Sequence, residues 1–308
     1  MAGSRVLKTR SGEIKLPAYI PVTTFGNKYP LDSLVRPYLP RLATAAMVSW
    51  HYAKQIDRPL RMPMFVDSGG FASLFDKTQL VSRRGLGVLQ IPADDEDQQP
   101  EMIHPKDVLD LQEKIADVAF TLDFPIPPSM AKREANRRKK LTIANALWAL
   151  ENRRRKDLLL FACIQGWDAD SAREVARCYK DVGFDGVAVG GLVPRARDIE
   201  LITAIVSAVR DEIPDLPLHV FGMGKPEMVE RLFAMGVDSV DSTAYIKLAA
   251  DGRLWSQPEF RLADPSPTDR LHLAICNLAT ATQTTLPLNA YRFAFDTASL
   301  AGSQLAKT

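Results

Sequence analysis

Apolar residues in this chain gather in short runs that alternate with longer stretches of helical periodicity. The runs, rich in Val, Ile, Phe and Ala, fall at 18–23, 44–49, 64–67, 118–123, 158–165, 186–190, 218–222 and 237–241. Near-continuous apolarity over so few residues predicts strands buried on both faces. Between several of them, at 105–115, 135–152, 169–182, 197–211 and 226–235, apolar positions recur with helix spacing. Strands separated by helices in this way predict a parallel sheet closed as a (β/α)8 TIM barrel, with an open doubly wound sheet as the alternative. The expected division is a barrel over 1–255 and a helical or looped extension over 256–308 packed on it. Four acids, Asp94 to Asp97, lie between Pro92 and Pro100 and predict an exposed loop between the third and fourth strands.

A barrel collects its active-site groups where the strands end, on the C-terminal face. Three of the runs stop on a carboxylate, at Asp67, Asp123 and Asp241, and each stop is followed closely by turn or small residues. Gln165, Gly190, Gly191 and the segment Gly222-Met223-Gly224 also fall at or just after strand ends. A buried strand ending in an acid is poor core and useful chemistry, so one shared cleft is expected. Each acid has a plain structural role open to it as well. Asp241 could cap the next helix, Asp67 could stabilise the turn at Gly69-Gly70, and Asp123 could sit in a salt bridge.

Composition adds modest bounds. With 308 residues, 46% of them hydrophobic, the chain can bury one barrel-sized core, and a formal net charge of +2 gives no global polyanion signal. A local signal exists. Lys132-Arg133, Arg137-Arg138-Lys139-Lys140 and Arg153-Arg154-Arg155-Lys156 place ten bases in a window holding two acids, Glu134 and Glu151. Such a cluster is either a solvated helix face or a phosphate-binding surface beside the fourth strand's active-site end. Arg137, Arg138, Lys139, Lys140, Arg153 and Arg154 are the nucleic-acid-binding candidates on the second reading. The three cysteines, Cys163, Cys178 and Cys276, are scattered without a CxxC pair, which fits a reducing cytoplasm and points away from a cysteine zinc site. No run approaches the roughly 20 apolar residues that span a bilayer, and the first residues lack a secretory apolar stretch.

Four motifs, in order and with compatible spacing, carry a family resemblance over roughly 63–255. Phe65-Val66-Asp67-Ser68-Gly69-Gly70-Phe71 resembles the DSGGFQ motif of the tRNA-guanine transglycosylases. The segments 160–166 and 186–192 resemble that family's FGIVQGG and GYAIGGL segments, and 236–245 with Asp251-Gly252-Arg253 resembles its nucleophile region in the archaeosine form. The resemblance implies a (β/α)8 barrel that exchanges guanine in tRNA, or in DNA, for a 7-deazaguanine base. It implies Asp241 as the nucleophile on C1′ and Asp67 as the group that moves protons. Asp123 would accept hydrogen bonds from the purine edge, with Ser68, Gly69, Gln165, Gly190 and Gly191 around the base and Met223 over its face; a tight-turn role for Gly190 and Gly191 and a buried packing role for Met223 stay open beside these. No redox cofactor or metal is implied for the chemistry. A second copy or partner proteins are compatible with it.

Departures from the family pattern are local. Ala72 replaces the usual Gln, and Trp167 stands where a second Gly is usual, which is expected to narrow the site or to change the incoming base. The family's zinc motif has only His272 and Cys276 near its place, and no RNA-binding module is expected after the barrel. These departures tilt the reading slightly towards DNA or another noncanonical substrate. Two other classes stay open at this point: a non-catalytic nucleic-acid-binding partner subunit, and a phosphate-binding metabolic barrel.

Overall fold

The structure, a computed structural model, describes residues 5–25, 30–56, 60–93 and 99–284. The acidic run at 94–97 and the end of the predicted extension, 285–308, lie outside the described residues. A hairpin of β1 (Arg5–Thr9) and β2 (Gly12–Leu16) leads into β3 (Ala18–Pro21), which is followed by α1 (Pro30–Val35) and α2 (Leu39–Leu42). Next come β4 (Ala46–Ser49), α3 (Trp50–Ala53) and β5 (Met64–Asp67). An antiparallel sheet of β6 (Gln79–Arg83), β7 (Leu86–Ile91) and β8 (Glu101–Ile103) is inserted before α4 (Pro105–Ile115) and β9 (Val118–Phe120). Regular alternation then resumes: α5 (Lys132–Asn152), β10 (Leu159–Ile164), α6 (Ala169–Tyr179), β11 (Gly186–Val189), α7 (Ile199–Glu212), β12 (Leu218–Val220), α8 (Pro226–Ala234) and β13 (Ser239–Ser242). Two helices, α9 (Ala244–Ala250) and α10 (Pro267–Ala281), complete the described chain.

Eight strands form one sheet in the order β3-β13-β12-β11-β10-β9-β5-β4, and every pairing in it is parallel. A parallel bridge between Val22 and Met47, with the Thr23 amide donating to the Met47 carbonyl at 2.8 Å, joins the two ends. This is the predicted barrel. Seven of its eight strands fall inside the apolar runs and β13 extends one residue past the last, to Ser242, because a strand buried on both faces reads as uninterrupted apolar sequence.

Alternation along each strand sorts side chains into two cores. Met64, Val66, Leu160, Ala162, Ile164, Val187, Val189, Leu218, Val220 and Val240 face outward into the large core shared with the helices. Ile20, Met47, Phe65, Val118, Phe120, Phe161, Cys163 and Ala188 face inward and fill the barrel, with Ile14 and Leu16 of the hairpin packed beneath them. Residues two positions further along the same inward rows are Asp67 above Phe65, Gln165 above Cys163 and Gly190 above Ala188. On β13 the row runs from Ser239 to Asp241. A polar layer therefore stands one pleat above an apolar one. Helix α10 belongs to the large core through Leu273, Ala274, Leu278 and Ala281. Buried Asn277 ties it to the barrel, accepting from the Trp255 amide at 2.6 Å and donating to the carbonyls of Tyr245 and Arg253.

Candidate active site at the C-terminal end of the barrel

The turn after β5 is built so that one acid holds another in place. Asp67 ends the strand and accepts the Ser68 amide at 2.6 Å. Gly69 then takes a left-handed φ of 77°, which suits a residue without Cβ. Ser68, fully buried, donates its hydroxyl to Asp123 Oδ1 at 2.8 Å, while Gln165 Nε2 donates to Asp123 Oδ2 at 2.5 Å. Asp123 thus has both oxygens engaged by neutral donors rather than by a salt bridge. Gly70 is required beside it, since a Cβ there would lie 1.9 Å from the Asp123 carbonyl oxygen.

Asp67 feels the two other carboxylates. Burial, then the charges of Asp123 and Asp241, push the Asp67 carboxyl up to about 7. Burial also raises Asp123, opposed by the hydrogen bonds from Gln165 and Ser68. Asp241 is 8% exposed and does not cap a helix. Its Oδ1 accepts the Gly222 amide at 2.9 Å and faces His219 Nε2 at 3.2 Å. Above Asp67 and Asp123 opens a cavity of about 150 Å3, lined also by Phe71, Gln165, Gly190, Gly191, Phe221 and Gly222. Asp241 lies beside this cavity rather than on its lining, joined to it through Gly222.

A family model described as queuine tRNA-ribosyltransferase matches residues 3–290. The chain belongs to that family. Among curated relatives, the tRNA-guanine(15) transglycosylase of Methanothermobacter thermautotrophicus is 29% identical over 256 residues, 82% of this chain and 37% of the relative. That of Methanococcus aeolicus is 34% identical over 158 residues, 49% of this chain and 24% of the relative. That of Methanosarcina barkeri is 35% identical over 153 residues, 48% of this chain and 31% of the relative. The chain therefore spans between 24% and 37% of the length of these relatives. Among the described residues of this queuine tRNA-ribosyltransferase family member, no three His, Cys, Asp or Glu side chains are grouped to hold a metal, so the family's zinc site has no fit there. No helix among them is long and apolar enough to cross a membrane.

Several sequence expectations need correction. Met223 is buried in the large core and does not line the cavity; Phe221, two positions earlier, points inward and forms the wall instead. Gly190 and Gly191 do line the cavity, and Gln165 packs against both, so that a Cβ on either would lie 2.3 Å or 2.5 Å from its amide atoms. Trp167 does not narrow the cavity. Its ring packs against Lys139, whose Nζ lies 5.1 Å from the ring centre.

The basic cluster is largely consumed within the fold. Arg138 is buried and bonds Ser73 and the Pro125 carbonyl, and buried Lys139 pairs with Glu174 at 2.5 Å. Arg137 binds Glu134 and the Leu80 carbonyl, Arg153 pairs with Asp185, and Arg154 pairs with Asp110 and Glu113. Of the six candidates, Lys140 is exposed and unpaired among the described residues. Helix α5 runs back along the barrel for about 30 Å at 1.5 Å per residue, so Arg153 and Arg154 lie at the end away from the cavity.

The residue that sequence reasoning missed is His219. It is fully buried on an inward position of β12, and its signal was a lone imidazole inside an apolar run.

Proposed function

We propose that the chain exchanges a guanine base of a nucleic acid for a free 7-deazaguanine, such as 7-cyano-7-deazaguanine, through a covalent ester on Asp241. The observation that carries this is one cleft holding carboxylates in different environments, with Asp67 tuned to about 7. The base occupies the cavity, where Asp123 accepts from the N1–H and exocyclic amine of its edge. Donors on a purine suit an acceptor-only carboxylate, and adenine lacks that paired array.

In the first half-reaction Asp241 Oδ2 forms a bond to C1′, the C1′–N9 bond breaks, and the electron pair leaves with guanine, which takes a proton from Asp67. In the second, the incoming base gives its N9 proton to the Asp67 carboxylate, N9 bonds to C1′, and Asp241 is released. A group poised near neutrality serves both directions. Two displacements retain the anomeric configuration. The target nucleotide must leave its stack to reach such a cleft.

The relatives named for tRNA favour tRNA over DNA as the polymer. The test is incorporation of labelled guanine into purified tRNA and, in parallel, duplex DNA. The expected result is label in tRNA, abolished in Asp241→Ala while its far-UV spectrum and melting temperature hold. Activity surviving in Asp241→Ala would remove the covalent mechanism.

A further inference from the structure

Two inward residues beneath the cleft, His219 and Ser239, are paired across the barrel wall. They are register partners on β12 and β13, and His219 Nδ1 lies 2.8 Å from Ser239 Oγ. The other ring nitrogen, Nε2, lies 3.2 Å from Asp241 Oδ1. The ring faces are enclosed by apolar neighbours, with ring centres of Phe120 at 5.0 Å, Phe221 at 4.8 Å and Phe65 at 6.0 Å. Imidazole in such a box is costly unless both nitrogens are satisfied.

The chemistry of the partners sets the direction of the chain. An ionised carboxylate only accepts, so Nε2 carries the proton and donates to Asp241. In the neutral ring Nδ1 is then an acceptor, and the Ser239 hydroxyl donates to it. Ser239 thereby selects the tautomer, the tautomer supplies a donor to Oδ1, and the Gly222 amide supplies a second at 2.9 Å. Both donors fall on the same oxygen. Oδ2 has no hydrogen-bond partner among the described residues and keeps its lone pairs.

We infer that His219, oriented by Ser239, is a positioning residue that anchors Asp241 by Oδ1 and so presents Oδ2 as the attacking atom. This rests on the proposed role of Asp241 and adds the device that aims it. A carboxylate free to rotate about its Cβ–Cγ bond offers either oxygen in poor alignment, and misalignment of about 1 Å costs on the order of 100-fold in rate.

The experiment is single-turnover and steady-state exchange of labelled guanine by the full chain, comparing wild type, Asp241→Ala, His219→Leu, His219→Gln and Ser239→Ala, with a melting curve for each. A glutamine amide reaches where Nε2 was and restores the donor; leucine does not. His219→Leu is expected to lower kcat roughly 10–100-fold with the KM for guanine within about twofold. His219→Gln should recover most of that loss, and Ser239→Ala should fall between. Recovery by Gln at an unchanged melting temperature separates aiming from mere packing. If wild type exchanges guanine and Asp241→Ala does not, yet His219→Leu and Ser239→Ala both turn over like wild type, the inference is overturned alone. A Gln variant as slow as Leu, both of them folded, overturns it too. No exchange by wild type on either polymer overturns the proposed function and this inference with it.

Discussion

Asp67 shows what a half-buried acid in a desolvated cleft costs. Between the ordinary carboxylate value of 3.8 and about 7, the folded protein holds a proton that the unfolded chain has lost. Bound protons favour the state that holds more of them, so this group's contribution to stability falls as pH rises through that window. Above about 7 both states are ionised and the full penalty remains. Asp67→Asn removes the charge. Its stability gain over wild type is therefore expected to be small near pH 4 and full above pH 7, at roughly 1–4 kcal/mol. Urea melts of both proteins across that range check it, and a gain that shrinks with rising pH would reverse the assigned sign. On the proposed mechanism the same variant should lose exchange, because asparagine can neither give the leaving purine a proton nor take one from the incoming base.

Helix α5 shows how far the sequence could be read and where it could not. The apolar runs located all eight barrel strands, since burial on both faces reads directly as apolar sequence. Of the three acids expected at strand ends, Asp67 and Asp123 line the cavity and Asp241 lies beside it. The inserted sheet was not legible. Its strand β6 is largely exposed and β8 has three residues, so neither has room to show a period. His219 was missed for the opposite reason, being polar within a run read as core. The bases of α5 and of the segment just after it were legible as charge but not as partners, because pairing with Glu174, Asp185 or Glu113 is set by neighbouring helices and loops. Arg138 joins the short helical turn after β5, at Ser73, to the segment after β9, at Pro125. Arg138→Met is expected to destabilise by about 2–4 kcal/mol, leaving the carbonyls and the Ser73 hydroxyl without their donor. On the proposed function, neutralising exposed Lys132, Arg133 and Lys140 together should leave the melting temperature nearly unchanged and weaken tRNA binding, with a flatter salt dependence. Arg154→Ala, at the far end of the helix, should change neither affinity nor its salt slope. Salt titrations of binding distinguish these outcomes, and equal effects at the two ends would return the cluster to a general polyanion surface.

At the scale of the molecule, the barrel couples its packing layer to its chemical layer, because each inward row carries both. Gly186 is the tightest test of this. A Cβ there would lie 2.5 Å from the Phe161 ring, inside the barrel wall. Phe161 is in turn on the row that ends, through Cys163, in Gln165, whose amide holds Asp123. Gly186→Ala should therefore cost about 1–3 kcal/mol by overpacking and also slow exchange, although the residue touches nothing in the cleft. Shrinking the ring with Phe161→Leu alone leaves a void and destabilises as well. Combined, the two changes relieve each other, since the methyl enters the space the ring vacates. A double-mutant cycle is expected to show favourable coupling on the order of 1 kcal/mol or more in stability. Exchange activity should recover in the same double variant. Additive losses would mean that strand β11 moves outward on its own to admit the methyl. In that case the layers are independent, and the geometry around Asp123 is fixed by the loops above the barrel instead of by its filled interior.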